Sequence, residues 1–233
     1  MNRGKFIVFE GINGSGKTTI ISHLFNYLSF NNYKVKIIKL PNRTTKTGKI
    51  IDKFLKNEYH FESLHDQIKI FADNRKECKT EIMQLLSDNY IILCDRYIYS
   101  NIAYTLTDQT FNIINNNYKE ILSIYDVIKY DTHLIKPDII FLINGDYIHL
   151  RTNEIQERYH KNNTKNIIIF NNYLLSFTFT NSNFTIINNK LNNLTNNVEL
   201  IFTYINQINN NLPCKENRQD PALRMSPAPD QDR

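Results

Sequence analysis

Cysteine is scarce: Cys78, Cys94 and Cys214 are the only three in 233 residues. They are odd in number and far apart, which excludes a disulfide framework and metal-ligand spacing and fits a reducing compartment. No apolar run approaches the roughly 18 residues that a membrane-spanning helix needs, so no membrane association is expected. The opening Met1-Asn2-Arg3-Gly4-Lys5 leads straight into an apolar segment. It lacks the layout of a signal peptide, and a soluble cytoplasmic protein is expected. There is no internal repeat. The formal charge of +5 is mild and dispersed; it argues against a nucleic-acid polymer as partner and suits small phosphate ligands. Proline is nearly absent until the end, where Pro213, Pro221, Pro227 and Pro229 make up four of the six. That end has almost no apolar content, so residues 213–233 are expected to form a disordered tail after one domain over 1–212.

Five short apolar runs, rich in β-branched residues, have the composition of strands covered on both faces: Phe6-Phe9, Val35-Leu40, Ile91-Cys94, Ile139-Ile143 and Phe184-Ile187. Helical spacing occupies the gaps: after Lys17 to about Phe30, Gly48-Leu55, Leu64-Leu86, Ile113-Ile124, Ile168-Phe177 and Leu194-Ile208. Strands alternating with helices predict an α/β fold with a parallel sheet and helices on both sides, in preference to an α+β domain.

Gly11-Ile12-Asn13-Gly14-Ser15-Gly16-Lys17-Thr18 fits the phosphate-loop pattern G-x-x-x-x-G-K-[ST]. It follows a predicted strand and opens a predicted helix, the context the motif requires. Glycines let backbone N–H groups turn toward phosphate oxygens, and the helix N-terminus adds its dipole. The expected nucleotide-binding set is Gly11, Asn13, Gly14, Ser15, Gly16, Lys17, Thr18 and Thr19, with ATP as co-substrate. Lys17 should reach the β- and γ-phosphates, and the Thr18 hydroxyl can ligate Mg²⁺. With no nucleotide bound, Lys17 is expected to face solvent. By itself the motif leaves GTPases, ATPases and kinases open.

The third strand runs into Asp95-Arg96-Tyr97. An acid at the carboxyl end of a parallel strand lies in the ligand crevice, so Asp95 is the expected partner of Thr18 at Mg²⁺. Arg96 brings a fixed fork of donors suited to a second phosphate.

Five segments together resemble the thymidylate kinases. They are Phe9-Glu10-Gly11 entering the phosphate loop; Leu40-Pro41-Asn42-Arg43-Thr44-Thr45 with Thr47-Gly48-Lys49; Phe71-Ala72-Asp73-Asn74-Arg75; Asp95 through Ser100; and Lys136-Pro137-Asp138. They occur in the family's order, and the resemblance covers about residues 5 to 208. It implies a three-layer α/β/α phosphate-loop kinase fold with a five-stranded parallel sheet, a mobile lid at about 151–165, a homodimer, and transfer of the γ-phosphoryl of ATP to dTMP. It implies that Arg43 and Arg96 hold the acceptor phosphate and that Phe71 stacks on thymine while Arg75 hydrogen-bonds it. Tyr104 would pack under the deoxyribose, Tyr159 would border the lid near the sugar, and Ser100 belongs to the acceptor side. Asn13, where the family usually has an acid, would serve both nucleotides. Gly14 denies the loop an arginine, so the resemblance passes the catalytic cation to the lid, with Arg151 first, then Arg158 and Lys161. The catalytic set is then Lys17, Asp95, Arg96 and Arg151.

A phosphate monoester has its second pKa near about 6 and is largely dianionic at neutral pH. Its phosphorylation needs no general base, and the sequence shows no base-plus-orienter constellation. The competing enzyme class, a deoxynucleoside kinase, would need a base for a hydroxyl acceptor, for which Glu10 is the candidate. A nucleotide-binding module without turnover is a third class; it would need a broken catalytic set, whereas Lys17, Thr18, Asp95 and Arg96 are all present.

Overall fold

The computed structural model describes residues 3–116, 121–145, 163–190 and 193–208. Five parallel strands form one sheet: β1 (Lys5–Glu10), β2 (Val35–Lys39), β3 (Ile91–Asp95), β4 (Ile139–Asn144) and β5 (Phe184–Asn188), in the order β2-β3-β1-β4-β5. All five expected strands are present, within one or two residues of their predicted ends. β1 is central, and its register sets Phe9 beside Asp95 of β3. The loop leaving β1 and the segment leaving β3 therefore emerge side by side, at the carboxyl ends where ligands of such sheets bind.

The strand runs are continuous because both faces are covered. Phe6 and Val8 join a core with Ile82, Tyr99, Tyr173 and Phe177 on one side. Ile7 and Phe9 join a second core on the other side, formed with α1 (Lys17–Phe30) and α8 (Leu194–Ile208). α2 (Lys46–Leu55) is capped by the Thr45 side chain, which accepts from the Gly48 N–H. Gly48 is required there, since a Cβ would lie 1.8 Å from the Asn42 carbonyl oxygen.

Two helix predictions are corrected. The segment Leu64-Leu86 is two helices, α3 (Leu64–Glu77) and α4 (Lys79–Ser87), meeting at Cys78. There the Cys78 N–H bonds back three residues to the Arg75 carbonyl, which tightens the turn, and its sulfur accepts from Asn42 Nδ2. The expected helix Ile113-Ile124 is displaced: α5 runs from Ile98 to Ile114, and a short α6 covers Ile124–Ile128 behind a Ser123 capping box. α5 is poor in strong helix formers, and tertiary packing overrides that weak preference. Thr107 and Thr110 bond their hydroxyls to carbonyls one turn back. Asn172 of α7 (Asn163–Phe179) bonds Thr107 across the helix pair. α7 takes in residues 163–165, the end of the expected lid; residues 151–162, with Arg151, Arg158, Tyr159 and Lys161, lie outside the described residues, as does the 213–233 tail.

Candidate active site

The phosphate loop is shaped by three glycines with positive φ, Gly11 (141°), Gly14 (79°) and Gly16 (86°). Gly11 also passes so close to β4 that a Cβ would lie 2.5 Å from the Ile143 carbonyl oxygen. Ser15 is fully buried and its carbonyl accepts from Asn189 Nδ2 at 3.0 Å, which anchors the loop to the segment after β5. Thr18 and Thr19, at the start of α1, are exposed.

Lys17 does not face solvent. It is buried, and its ammonium donates to the carbonyl oxygens of Gly11 (2.9 Å) and Ile12 (2.7 Å). An ammonium taken from water needs acceptors, and the loop's own carbonyls supply them.

Thr18 Oγ1 donates to Asp95 Oδ2 at 3.4 Å, so the expected pair does meet across the crevice. Asp95 is buried, and its other oxygen, Oδ1, has no hydrogen-bond partner among the described residues. A buried carboxylate oxygen left without donors is costly unless a cation or donor arrives. Thr18 and Asp95 are hard oxygen ligands of the kind Mg²⁺ takes, and the residues present fit that ion.

Arg96 adopts φ 73°, a left-handed conformation uncommon for a residue with a side chain. Its N–H bonds the Phe9 carbonyl, which ties β3 to β1 beyond the sheet register. Its guanidinium is the hub of the crevice. One terminal nitrogen donates to the Gly11 carbonyl (3.0 Å), Ser100 Oγ (3.1 Å) and the Tyr173 hydroxyl (3.0 Å), while the other donates to Asn13 Oδ1. It also lies 5.4 Å from the centroid of the Tyr104 ring, within cation–π range. Asn13, Arg96, Ser100 and Tyr104 are thus brought together.

Glu10 is fully buried beneath this hub. One carboxylate oxygen accepts from the Tyr97 and Ser100 N–H groups, the other from Ser100 Oγ at 2.6 Å. Burial pushes its carboxyl upward, partly offset by the Arg96 charge and by the Ser100 and Tyr97 hydrogen bonds. These bonds seat Glu10 on the first turn of α5 and do not present it to solvent as a base.

The acceptor side is built from α2, α3 and α5. Arg43 pairs with Asp52 at 2.8 Å, half-exposed, and Lys56 shares that carboxylate. Lys56 first, then Arg43, holds the Asp52 carboxyl below its ordinary range. An exposed pair of this kind is worth at most about 1 kcal/mol, so Arg43 can exchange Asp52 for a phosphate at small cost. The loop carrying it is pinned by Asn74, whose side chain bonds the Asn42 N–H and carbonyl and the Thr45 and Thr47 hydroxyls. Phe71 is half-buried, edge-on to Phe54 at 6.2 Å. Arg75, one turn on, is buried and held by Asp131 through two bonds, Nε to Oδ1 (2.9 Å) and NH2 to Oδ2 (2.7 Å). On α5, Asn101 Nδ2 and Thr105 Oγ1 are buried without a hydrogen-bond partner among the described residues.

Asp131, Tyr173, Asn74 and the role of Glu10 are absent from the sequence-based set. The partners they hold are distant in sequence; Glu10 and Asn74 lie within the motif segments, while Asp131 and Tyr173 carry no local signal.

The family model for thymidylate kinase matches residues 9–199. The chain belongs to the thymidylate kinase family. It is 38% identical over 167 residues to the thymidylate kinase of Plasmodium falciparum, covering 70% of this chain and 73% of that one. It is 37% identical over 108 residues to the thymidylate kinase of Dictyostelium discoideum, covering 45% of this chain and 47% of that one. The solved thymidylate kinase structure from Candida albicans superposes with a TM-score of 0.76 at 29% identity, over 89% of this chain and 93% of that one. Membership in a family of monophosphate kinases sets aside both the deoxynucleoside kinase and the module without turnover, and the engagement of Glu10 agrees. No helix among the described residues is long and apolar enough to cross a membrane.

Proposed function

We infer that the chain transfers the γ-phosphoryl of ATP to dTMP, giving dTDP and ADP. The observation that carries this most is Arg96, a guanidinium that reaches the phosphate loop through Asn13 and Gly11 and lies beside Tyr104. It stands between the loop that would hold the donor and the helices that would hold the acceptor.

The ATP phosphates would lie along Gly11, Asn13, Gly14, Ser15, Gly16, Lys17, Thr18 and Thr19. Lys17 would exchange the Gly11 and Ile12 carbonyls for phosphate oxygens. Thr18 and Asp95 would hold Mg²⁺, which when bound neutralises charge on the phosphates. The acceptor phosphate would meet Arg43 and Arg96, with Ser100 beside them. The thymine would stack on Phe71 and bond Arg75, and Tyr104 would exclude a 2′-hydroxyl. Tyr159 and the catalytic cation Arg151 would come from the lid. The acceptor oxygen is already anionic, so the protein's task is to align two phosphates and offset their charge. A homodimer in the cytoplasm, with a single domain over 1–212 and an unfolded tail over 213–233, completes the proposal.

An ADP-release screen over nucleoside monophosphates and nucleosides tests it. dTMP should give the highest rate and thymidine none above the ATP background. A nucleoside turned over faster than its monophosphate would overturn the assignment of both arginines.

A further inference from the structure

Tyr173 is fully buried on α7, a helix that contributes nothing to the phosphate loop or to the motifs discussed above. Its ring is stacked near Phe177, with centroids 6.2 Å apart, and meets Tyr104 edge-on at 6.3 Å. A phenylalanine would fill that space equally well. The hydroxyl is different: burying one without partners is costly, and here it reaches three polar groups of the candidate site. It receives a hydrogen bond from Arg96 at 3.0 Å, lies 2.8 Å from Ser100 Oγ, and is 3.4 Å from the Gly11 carbonyl.

Proton counting gives this cluster a direction. The Ser100 hydroxyl donates its one proton to Glu10 at 2.6 Å. It can only accept from Tyr173, so the phenol proton goes to Ser100 and a phenol lone pair receives Arg96. Donors and acceptors then run in one sense, from Arg96 to Tyr173 to Ser100 to Glu10. Burial, then the nearby Glu10 charge, pushes the Tyr173 phenol well above its ordinary value, which keeps that proton in place.

We propose that Tyr173 is a positioning residue for Arg96: from α7, its hydroxyl fixes the inner edge of the guanidinium so that the acceptor phosphate meets a fork already set. This rests on the assignment of Arg96 to the acceptor phosphate. Preset donors cost little reorganisation when the ligand arrives. Ser100 and the Gly11 carbonyl share that edge, so one lost bond should loosen the fork without abolishing it.

A double-mutant cycle tests the proposal, using Tyr173→Phe, Arg96→Lys and the pair together, with KM for dTMP and ATP, kcat and melting temperature measured for each. Tyr173→Phe should raise KM for dTMP about threefold to tenfold, the scale of one hydrogen bond. KM for ATP should stay within about twofold and the melting temperature within a few degrees. In the Arg96→Lys background the same change should add less than about twofold, because the group it acts through has gone. Phe177→Leu, which disturbs the packing and spares the hydroxyl, should lower the melting temperature and leave KM for dTMP unchanged. Additive effects of Tyr173 and Arg96, equal shifts in both KM values, or a lowered melting temperature with KM for dTMP unchanged would overturn the proposal. If Arg96→Lys alone leaves dTMP kinetics intact, the acceptor role of Arg96 fails first and the proposal falls with it.

Discussion

Replacing Asp131 by asparagine keeps its shape and removes its charge, leaving the Arg75 guanidinium buried without its counter-ion. Both side chains are only 4% exposed, and the pair is closed by two parallel bonds of 2.9 and 2.7 Å. Removing one partner of a buried ion pair typically costs about 3–5 kcal/mol, because the remaining charge keeps its desolvation penalty and loses its attraction. For a chain of this size each kcal/mol shifts the melting temperature by about 2–4 °C, so a fall of about 6–20 °C is expected. Urea melts should show a lower midpoint with an unchanged slope. Replacing both residues, Arg75→Met with Asp131→Leu, should recover most of the loss, since no buried charge is left. The double variant should still bind dTMP poorly, because it lacks the proposed base contact of Arg75. A loss below about 1 kcal/mol for Asp131→Asn would refute the reasoning, because the pair would then behave as an exposed one.

Lys17→Ala should reduce kcat by more than about a hundredfold if, as proposed, Lys17 is one of the cations that meet the transferred phosphoryl; retention of more than about a hundredth of the rate would exclude the role. Because Lys17 bonds two loop carbonyls, the variant should also melt slightly lower, which a solvent-facing lysine would not cause. Phe71→Ala should weaken dTMP by about 1–3 kcal/mol, the value of stacking a base on an aromatic ring, and leave KM for ATP unchanged; the reverse pattern would move the nucleoside pocket elsewhere. Ser123, by side chain and then backbone, together with Lys129, lowers the Asp126 carboxyl to about 2. A carboxyl lowered on folding contributes stability above its unfolded value, lost as pH falls through the folded one. The gap in urea midpoint between wild type and Asp126→Asn should therefore be full at pH 5 and close toward about pH 2; a constant gap would contradict the capping box.

The sheet was legible because burial on both faces turns each strand into a short unbroken apolar run, as in Ile91-Ile92-Leu93. The phosphate loop was legible because its glycines, lysine and hydroxyl are neighbours in sequence. α5 was not, since Thr105, Thr107 and Thr110 read as poor helix formers, and the bond from Asn172 of α7 to Thr107 comes from 65 residues away. Cys78 breaks the long helix without glycine or proline. The supports of the site were the least legible part. Asp131 lies 56 residues from Arg75, Tyr173 lies 77 from Arg96, and Ser100 lies 90 from Glu10. Pairings across such distances are set by the fold and leave no spacing to read. Lys17 was misplaced for a related reason: the motif names its partner in the complex, while its partners without nucleotide are the loop's own carbonyls.

The most direct test of the central claim is the fate of the acceptor phosphorus, followed by ³¹P NMR with ATP, Mg²⁺ and either dTMP or thymidine. With dTMP the monoester signal should disappear as diphosphate signals of dTDP and ADP grow in equal amounts, and with thymidine no new ester should form. A new thymidine monoester, with dTMP left untouched, would contradict the account, because the acceptor would then be a hydroxyl and Arg43 and Arg96 would have no phosphate to hold.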